Sequence, residues 1–124
     1  MEISHEWSFG EDKELADRLK RLVLEGKKKA TTGLLYEGKK VPQVGDFEAI
    51  IDSDGKRFCI IKLTKVEVKP FLGVEFDFVE KEGEGDKSIE EWRENFRKFF
   101  GPQEDNPTVI CTEFELVDQR SDRL

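Results

Sequence analysis

Between residues 24 and 32 the hydrophobic period of this chain changes, and that change restricts its fold more than any other feature. Before it, apolar residues recur by threes and fours: Leu15, Ala16, Leu19, Leu22 and Val23 form one stripe with Lys and Arg opposite. That spacing predicts an amphipathic helix starting near Glu11. Glu11 and Asp12 suit the positive end of its dipole, and Gly26 suits the left-handed position that ends it. From Ala30 to Tyr36 the chain reads as a strand. Gly26-Lys27-Lys28-Lys29-Ala30-Thr31-Thr32 is therefore a helix-to-strand junction, where rigid backbone can hold a cation and a hydroxyl beside one pocket.

The rest of the chain supplies strands and one more helix. Residues 47–52 and 58–69 flank Ser53-Asp54-Gly55-Lys56, whose Asp-Gly pair signals a hairpin. Val66 and Val68 alternate with charged residues, and Pro70 ends that ladder by removing a donor. Residues 71–79 are rich in Phe and fit a short helix, a strand or a packed loop equally well. The run Glu80-Lys81-Glu82-Gly83-Glu84-Gly85-Asp86-Lys87 reads as a loop. Ser88-Ile89-Glu90-Glu91 is a capping box, and Ile89, Trp92, Phe96 and Phe99 form the stripe expected to be buried. Gly101-Pro102 stops that helix, and residues 108–117 read as a last long strand. Asp118 to Leu124 is expected to be a frayed, flexible tail. Residues 1–10 read as an arm anchored by Trp7 and Phe9, with Trp7 alternatively offering a stacking face.

Two helices among about five strands, without crossover helices, predict an α+β domain. Its sheet should be mixed or antiparallel and curled towards a barrel. A chain of 124 residues suits one domain, residues 1–124, with one core. The sequence sets no oligomeric state.

Charge and composition narrow the partners. A net charge of −7 argues against coating nucleic acid with the whole surface, so no double-stranded DNA platform is expected. A local basic mouth remains available at Lys27, Lys28, Lys29, Lys39 and Lys40. His5 is the sole histidine, so a zinc site built on several histidines is excluded, and no metal or cofactor motif is read. Cys59 and Cys111 lie apart in apolar strands and are expected to be reduced core thiols. No apolar run approaches the roughly 20 residues of a membrane span, and the first residues lack the blocks of a signal peptide. A cytoplasmic location is expected.

The junction can do chemistry only if it bends, because side chains three apart on a straight strand face opposite ways. Gly26 makes that bend cheap. Lys28 can then bind a phosphate or carbonyl oxygen, or act as base or nucleophile if desolvated, while the Thr31 hydroxyl can orient a water or be activated itself. The bland alternative is a lysine-rich helix end that favours the dipole and solubility. The acidic run has two readings as well: a solvated charged loop, or the source of a carboxylate that pairs with Lys28 and serves as general base. Gly83 and Gly85 would let that backbone approach a ligand. Trp92 sits on a helical stripe and reads as core, whereas Tyr36 fits a pocket wall or the surface.

Gly26-x-Lys28-x-x-Thr31 after a first helix resembles the hallmark of the ASCH domain family. The resemblance extends through Trp7-Ser8-Phe9-Gly10, Pro42-Gln43-Val44-Gly45-Asp46, Glu82-Gly83-Glu84-Gly85-Asp86-Lys87-Ser88, Trp92-Arg93 and Val109-Ile110-Cys111, and it is similar to a small stand-alone bacterial subgroup. It implies a PUA-like fold, a small curled β-barrel flanked by two or three helices with a cleft near the motif. It also implies RNA or a small nucleoside or nucleotide as partner. One branch of the family hydrolyses the amide of N4-acetylcytidine with a lysine, a threonine and a glutamate. These carry over to Lys28, Thr31 and Glu84, or less directly Glu82 for the glutamate; the Glu-Gly-Glu-Gly-Asp pattern departs from that branch. Trp7, Gly26, Lys29, Tyr36 and Glu82 are the ligand-binding candidates. Three functions follow as expectations: an amidohydrolase acting on a modified nucleoside, a non-catalytic RNA-binding module, and a divalent-metal-dependent ribonuclease.

Overall fold

A computed structural model describes residues 1–118. Five strands, β1 (Ile3–Ser8), β2 (Ala30–Leu34), β3 (Phe47–Ile51), β4 (Arg57–Pro70) and β5 (Thr108–Asp118), form one sheet in the order β1-β3-β4-β5-β2. Three helices accompany it: α1 (Lys13–Leu24), α2 (Phe76–Glu82) and α3 (Ile89–Phe100). The architecture is α+β and the sheet is mixed, since β1 runs parallel to β3 while the other pairs are antiparallel. The barrel expected from sequence does not close: β1 and β2 are its two edges and share no ladder among the described residues.

Local chemistry explains most element ends. Asp12 caps α1 by accepting from the Leu15 N–H at 3.1 Å. At its other end Gly26 has φ +76°, the Gly26 N–H reaches the Val23 carbonyl, and the Lys27 N–H reaches that of Leu22. These two bonds are a Schellman cap, which satisfies carbonyls the helix leaves open. Ser88 caps α3 through the Glu91 N–H at 3.1 Å. Between β3 and β4, Asp52 accepts from the Asp54 and Lys56 N–H groups at 2.9 and 3.0 Å, which fixes the Asp-Gly turn.

Packing falls into two clusters. In the first, Ala16, Leu19 and Val23 of α1 meet Ile50, Phe58, Ile61 and Leu63 of β3 and β4. In the second, Val79, Trp92 and Phe96 from α2 and α3 enclose Phe71 with Val109 and Cys111. Each fully buried aliphatic side chain contributes about 1.5–3 kcal/mol relative to exposure. β5 serves both clusters by alternation, giving Phe114 to the first and Val109 and Cys111 to the second. Cys59 and Cys111 are both free and buried, and burial pushes their thiols up to about 12 and about 11. They are packing residues, not nucleophiles.

Four expectations are corrected. Residues 3–8 are a parallel edge strand, not an arm; most of their side chains are exposed, so no apolar alternation marks them. The ambiguous 71–79 stretch divides into a single 3-10 turn at Phe71–Gly73 and the start of α2. That helix continues through Glu82, so only residues 83–87 of the acidic run lie outside helices. Phe99 is 48% exposed rather than buried, because the core of α3 is taken by Trp92 and Phe96. Asp118 ends β5 opposite Ile60, and the remainder of the expected tail, residues 119–124, lies outside the described residues.

Candidate functional site

The two edges of the open sheet line one cavity of about 1190 Å³. Trp7 and Phe9 bound it from the β1 side, Thr31, Thr32 and Gly33 from β2, and Glu48, Glu82 and Glu84 contribute carboxylates. Where the barrel fails to close, there is a pocket.

Lys28 is the centre of its polar wall. Just 2% of this residue is exposed, and it is among the largest fully buried side chains. Its Nζ donates to the Ala30 carbonyl and to Glu84 Oε2, each at 2.7 Å, and lies 5.9 Å from the Phe9 ring centroid. An ammonium has three donors, so two bonds leave one for a ligand oxygen. Lys28 precedes β2, and the bend after Gly26 turns it to the cavity that Thr31 also lines. Arg18 of α1 holds Glu84 from the other side, donating to its main-chain carbonyl at 2.5 Å.

Glu82 occupies the floor. It is 4% exposed; its Oε2 accepts from the Thr32 hydroxyl at 2.9 Å and its Oε1 from the Trp92 indole N–H at 2.5 Å. Burial raises its carboxyl above the ordinary range, the Lys28 charge pulls it back, and the Glu84 charge adds to the rise. Gly83 joins these two glutamates. With φ +68°, it brings its backbone so near that an added Cβ would stand 2.0 Å from the Lys27 carbonyl oxygen. The close approach that its sequence suggested is real, but it is made to the lysine junction. Gly85 has open space around its Cβ position.

The opposite wall carries a second polar group. Glu48 is 6% exposed and accepts from the Trp7 indole N–H at 2.8 Å. Burial raises its carboxyl, and the Trp7 hydrogen bond acts against that rise. Lys39 enters from the loop after β2, with Nζ 5.3 Å from the Tyr36 ring centroid. Burial lowers its pKa, and the Glu48 charge opposes the drop.

The structure thus brings Lys28, Thr31, Glu84, Glu82, Trp7 and Tyr36 to the cavity, with Tyr36 64% exposed at its mouth. Gly26 and Lys29 are not part of its lining. Gly26 shapes the helix end, and exposed Lys29 works through its backbone, its N–H donating to Lys81 and its carbonyl accepting from Phe114. Sequence reasoning missed Thr32, Glu48, Phe9 and Arg18 as site residues, whereas Lys39 belongs to the basic mouth it expected. Strand parity pointed to Thr32, which shares a face with buried Ala30, and a lone acid inside Phe47–Ile51 pointed to Glu48. Among the described residues, no three His, Cys, Asp or Glu side chains gather as a metal site, and no helix is long and apolar enough to cross a membrane.

Comparison with known proteins places this geometry in context. A family model described as ASCH domain matches residues 5–118. Among solved structures, the ASCH domain from Lactobacillus crispatus JV V101 is 32% identical with a TM-score of 0.83, over 94% of this chain and 81% of that one. A protein from Enterococcus faecalis V583 is 30% identical with a TM-score of 0.85, over 96% of this chain and 79% of its own. ASCH from Zymomonas mobilis shares the fold alone, at 9% identity and a TM-score of 0.56, over 84% of this chain and 64% of that one. No curated protein matches the chain.

Proposed function

This chain belongs to the ASCH domain family, whose fold is linked to RNA binding, and on that footing we propose that its cavity takes a modified nucleoside and hydrolyses an amide on the base, as of N4-acetylcytidine. The observation that carries this reading is the ion pair between buried Lys28 and partly buried Glu84, 2.7 Å apart, in a cavity that Thr31 also lines. Lys28 has one ammonium N–H to spare, and it would polarise the amide carbonyl. Glu84 would take a proton from the attacking water as that water's oxygen bonds to the acyl carbon. The oxyanion so formed would be held by Lys28, a charge already fixed in place and shielded from solvent. Collapse breaks the carbon–nitrogen bond, with the proton on Glu84 passing to the leaving nitrogen, and acetate and cytidine result. Thr31 would orient the water, and Glu82 would hold Thr32 and Trp92 as the floor.

The test is incubation with N4-acetylcytidine and chromatographic detection of cytidine. The wild-type protein should release cytidine, and Lys28→Ala should lose at least about 100-fold in rate, as expected when a charge-stabilising donor is removed. No turnover above the Lys28→Ala background would overturn the hydrolytic reading.

A second reading, recognition without chemistry, draws on Tyr36. This exposed ring lies at the mouth under Lys39, with exposed Lys40 nearby, a combination suited to stacking one base and contacting its phosphate. Binding of cytidine nucleotides without turnover would favour it.

A further inference from the structure

Glu48 is not needed by the chemistry just described, and its position calls for a cause. It lies in a strand where Ala49 and Ile50 are wholly buried, and removing a carboxylate from water there is costly. Buried polar side-chain atoms normally have a hydrogen-bond partner. Among the described residues, one side-chain hydrogen bond reaches Glu48, from Trp7 to Oε1, and its residue lines the cavity. Oε2 receives none among the described residues, which leaves it able to accept from a ligand. Lys39 supplies a cation near the same opening, with Nζ 3.4 Å from where a Cβ on Gly33 would stand. The two charges influence one another but close no ion pair among the described residues. Gly33, bare of side chain, leaves room at that point of β2. An acceptor and a donor thus stand in one cavity without closing a pair, Glu48 on the β3 side and Lys39 beside β2.

We propose that Glu48 is the specificity-determining residue of this cavity, accepting an N–H from a base edge while Lys39 donates to an acceptor beside it, which selects pyrimidines bearing a 4-amino or 4-acylamino group. This rests on the reading that a nucleoside occupies the cavity. Cytosine and its N4-acyl derivatives carry an N–H at position 4 beside the ring nitrogen and the 2-carbonyl. Uracil presents a carbonyl oxygen at position 4, which would face the carboxylate oxygen without a shared proton. Sites built around a buried polar group reject the analogue that leaves it unpaired. Trp7 is then a positioning residue, holding Oε1 so that Oε2 is presented.

Calorimetric titration with cytidine 5′-monophosphate and uridine 5′-monophosphate tests this. The wild-type protein should prefer the cytidine nucleotide by about tenfold or more. Glu48→Gln, whose amide can donate as well as accept, should bind both within about twofold. Trp7→Phe keeps the carboxylate but frees it to turn, so its preference should fall between the two; it also keeps the test open should Glu48→Gln unfold. Equal wild-type affinity for the two nucleotides, or an undiminished preference in both variants, overturns the role of Glu48 and leaves the proposed function standing. Binding of neither nucleotide overturns both.

Discussion

Glu48 is the residue at which cost and use can be separated by experiment. Its carboxyl is raised by burial, so in the folded chain it holds its proton to higher pH than in the unfolded one. The folded state therefore binds more protons as pH climbs above the ordinary value of 4.5, and stability from this group is present below that value and lost as pH rises through the raised one. Urea unfolding across that window should show the wild-type protein losing stability relative to Glu48→Gln as pH increases. A constant gap between them would mean that Glu48 ionises as freely when folded as when unfolded. Legibility at this scale was uneven for a physical reason. Lys28 and Thr31 could be read from spacing, because a glycine-ended helix followed by a strand forces a bend whatever surrounds it. Glu48 stood out only as the lone acid of a short apolar strand, and nothing in that pattern says that it meets an indole donor from a strand about 40 residues away.

At the scale of elements, α2 and the α1–β2 junction act as one part. Glu82 ends α2, Gly83 caps it in the left-handed region, and Glu84 follows; the Gly83 backbone rests on the Lys27 carbonyl, and the Lys29 N–H bonds the Lys81 carbonyl at 2.8 Å. Main-chain contact therefore sets where both carboxylates meet Lys28. Gly83→Ala combines a positive φ with a 2.0 Å clash against backbone. It should cost more than about 3 kcal/mol and displace the carboxylates, whereas Gly85→Ala, at φ +91° in open space, should cost only the roughly 1–2 kcal/mol of left-handed strain. Denaturant midpoints of the two variants check this, and equal losses would show the Gly83 contact to be unimportant. From sequence, α1, α3 and β2 to β5 were legible because their apolar periods and caps agree, while the start of α2 stayed open among helix, strand and loop. The end of α2 was not: Glu80 to Glu82 is polar, and what makes it helical is Val79 packing behind it and the glycine cap ahead. β1 escaped notice because an edge strand with exposed side chains carries no pattern.

Taken whole, the molecule is acidic, and its cavity lining mixes a few cations, Lys39 and Lys40 among them, with carboxylates. Its charge of −7 repels a long polyanion, while Lys39 and Lys40 at the cavity can meet only a phosphate or two. Affinity for single-stranded RNA should thus level off within a few nucleotides. The slope of log affinity against log salt should correspond to about one or two phosphates, near −0.7 for each. Fluorescence anisotropy with oligonucleotides of increasing length reads both quantities. Affinity that keeps rising with length, or a slope several times steeper, would point instead to a binding track outside the cavity.

The gap in the sheet has one more consequence, for how such a protein can change over generations. β2 hydrogen-bonds to β5 and β1 to β3, with no ladder between the two edges among the described residues. Lys28 and Thr31 belong to the β2 side and Trp7 and Glu48 to the β1 and β3 side, and the two sides meet where the Lys28 Nζ lies over the Phe9 ring. A mutation on β1 or β3 therefore has at least two strands between it and the backbone that seats the lysine. Such a chain can drift towards a new ligand by altering one bank of the opening while the other is inherited intact.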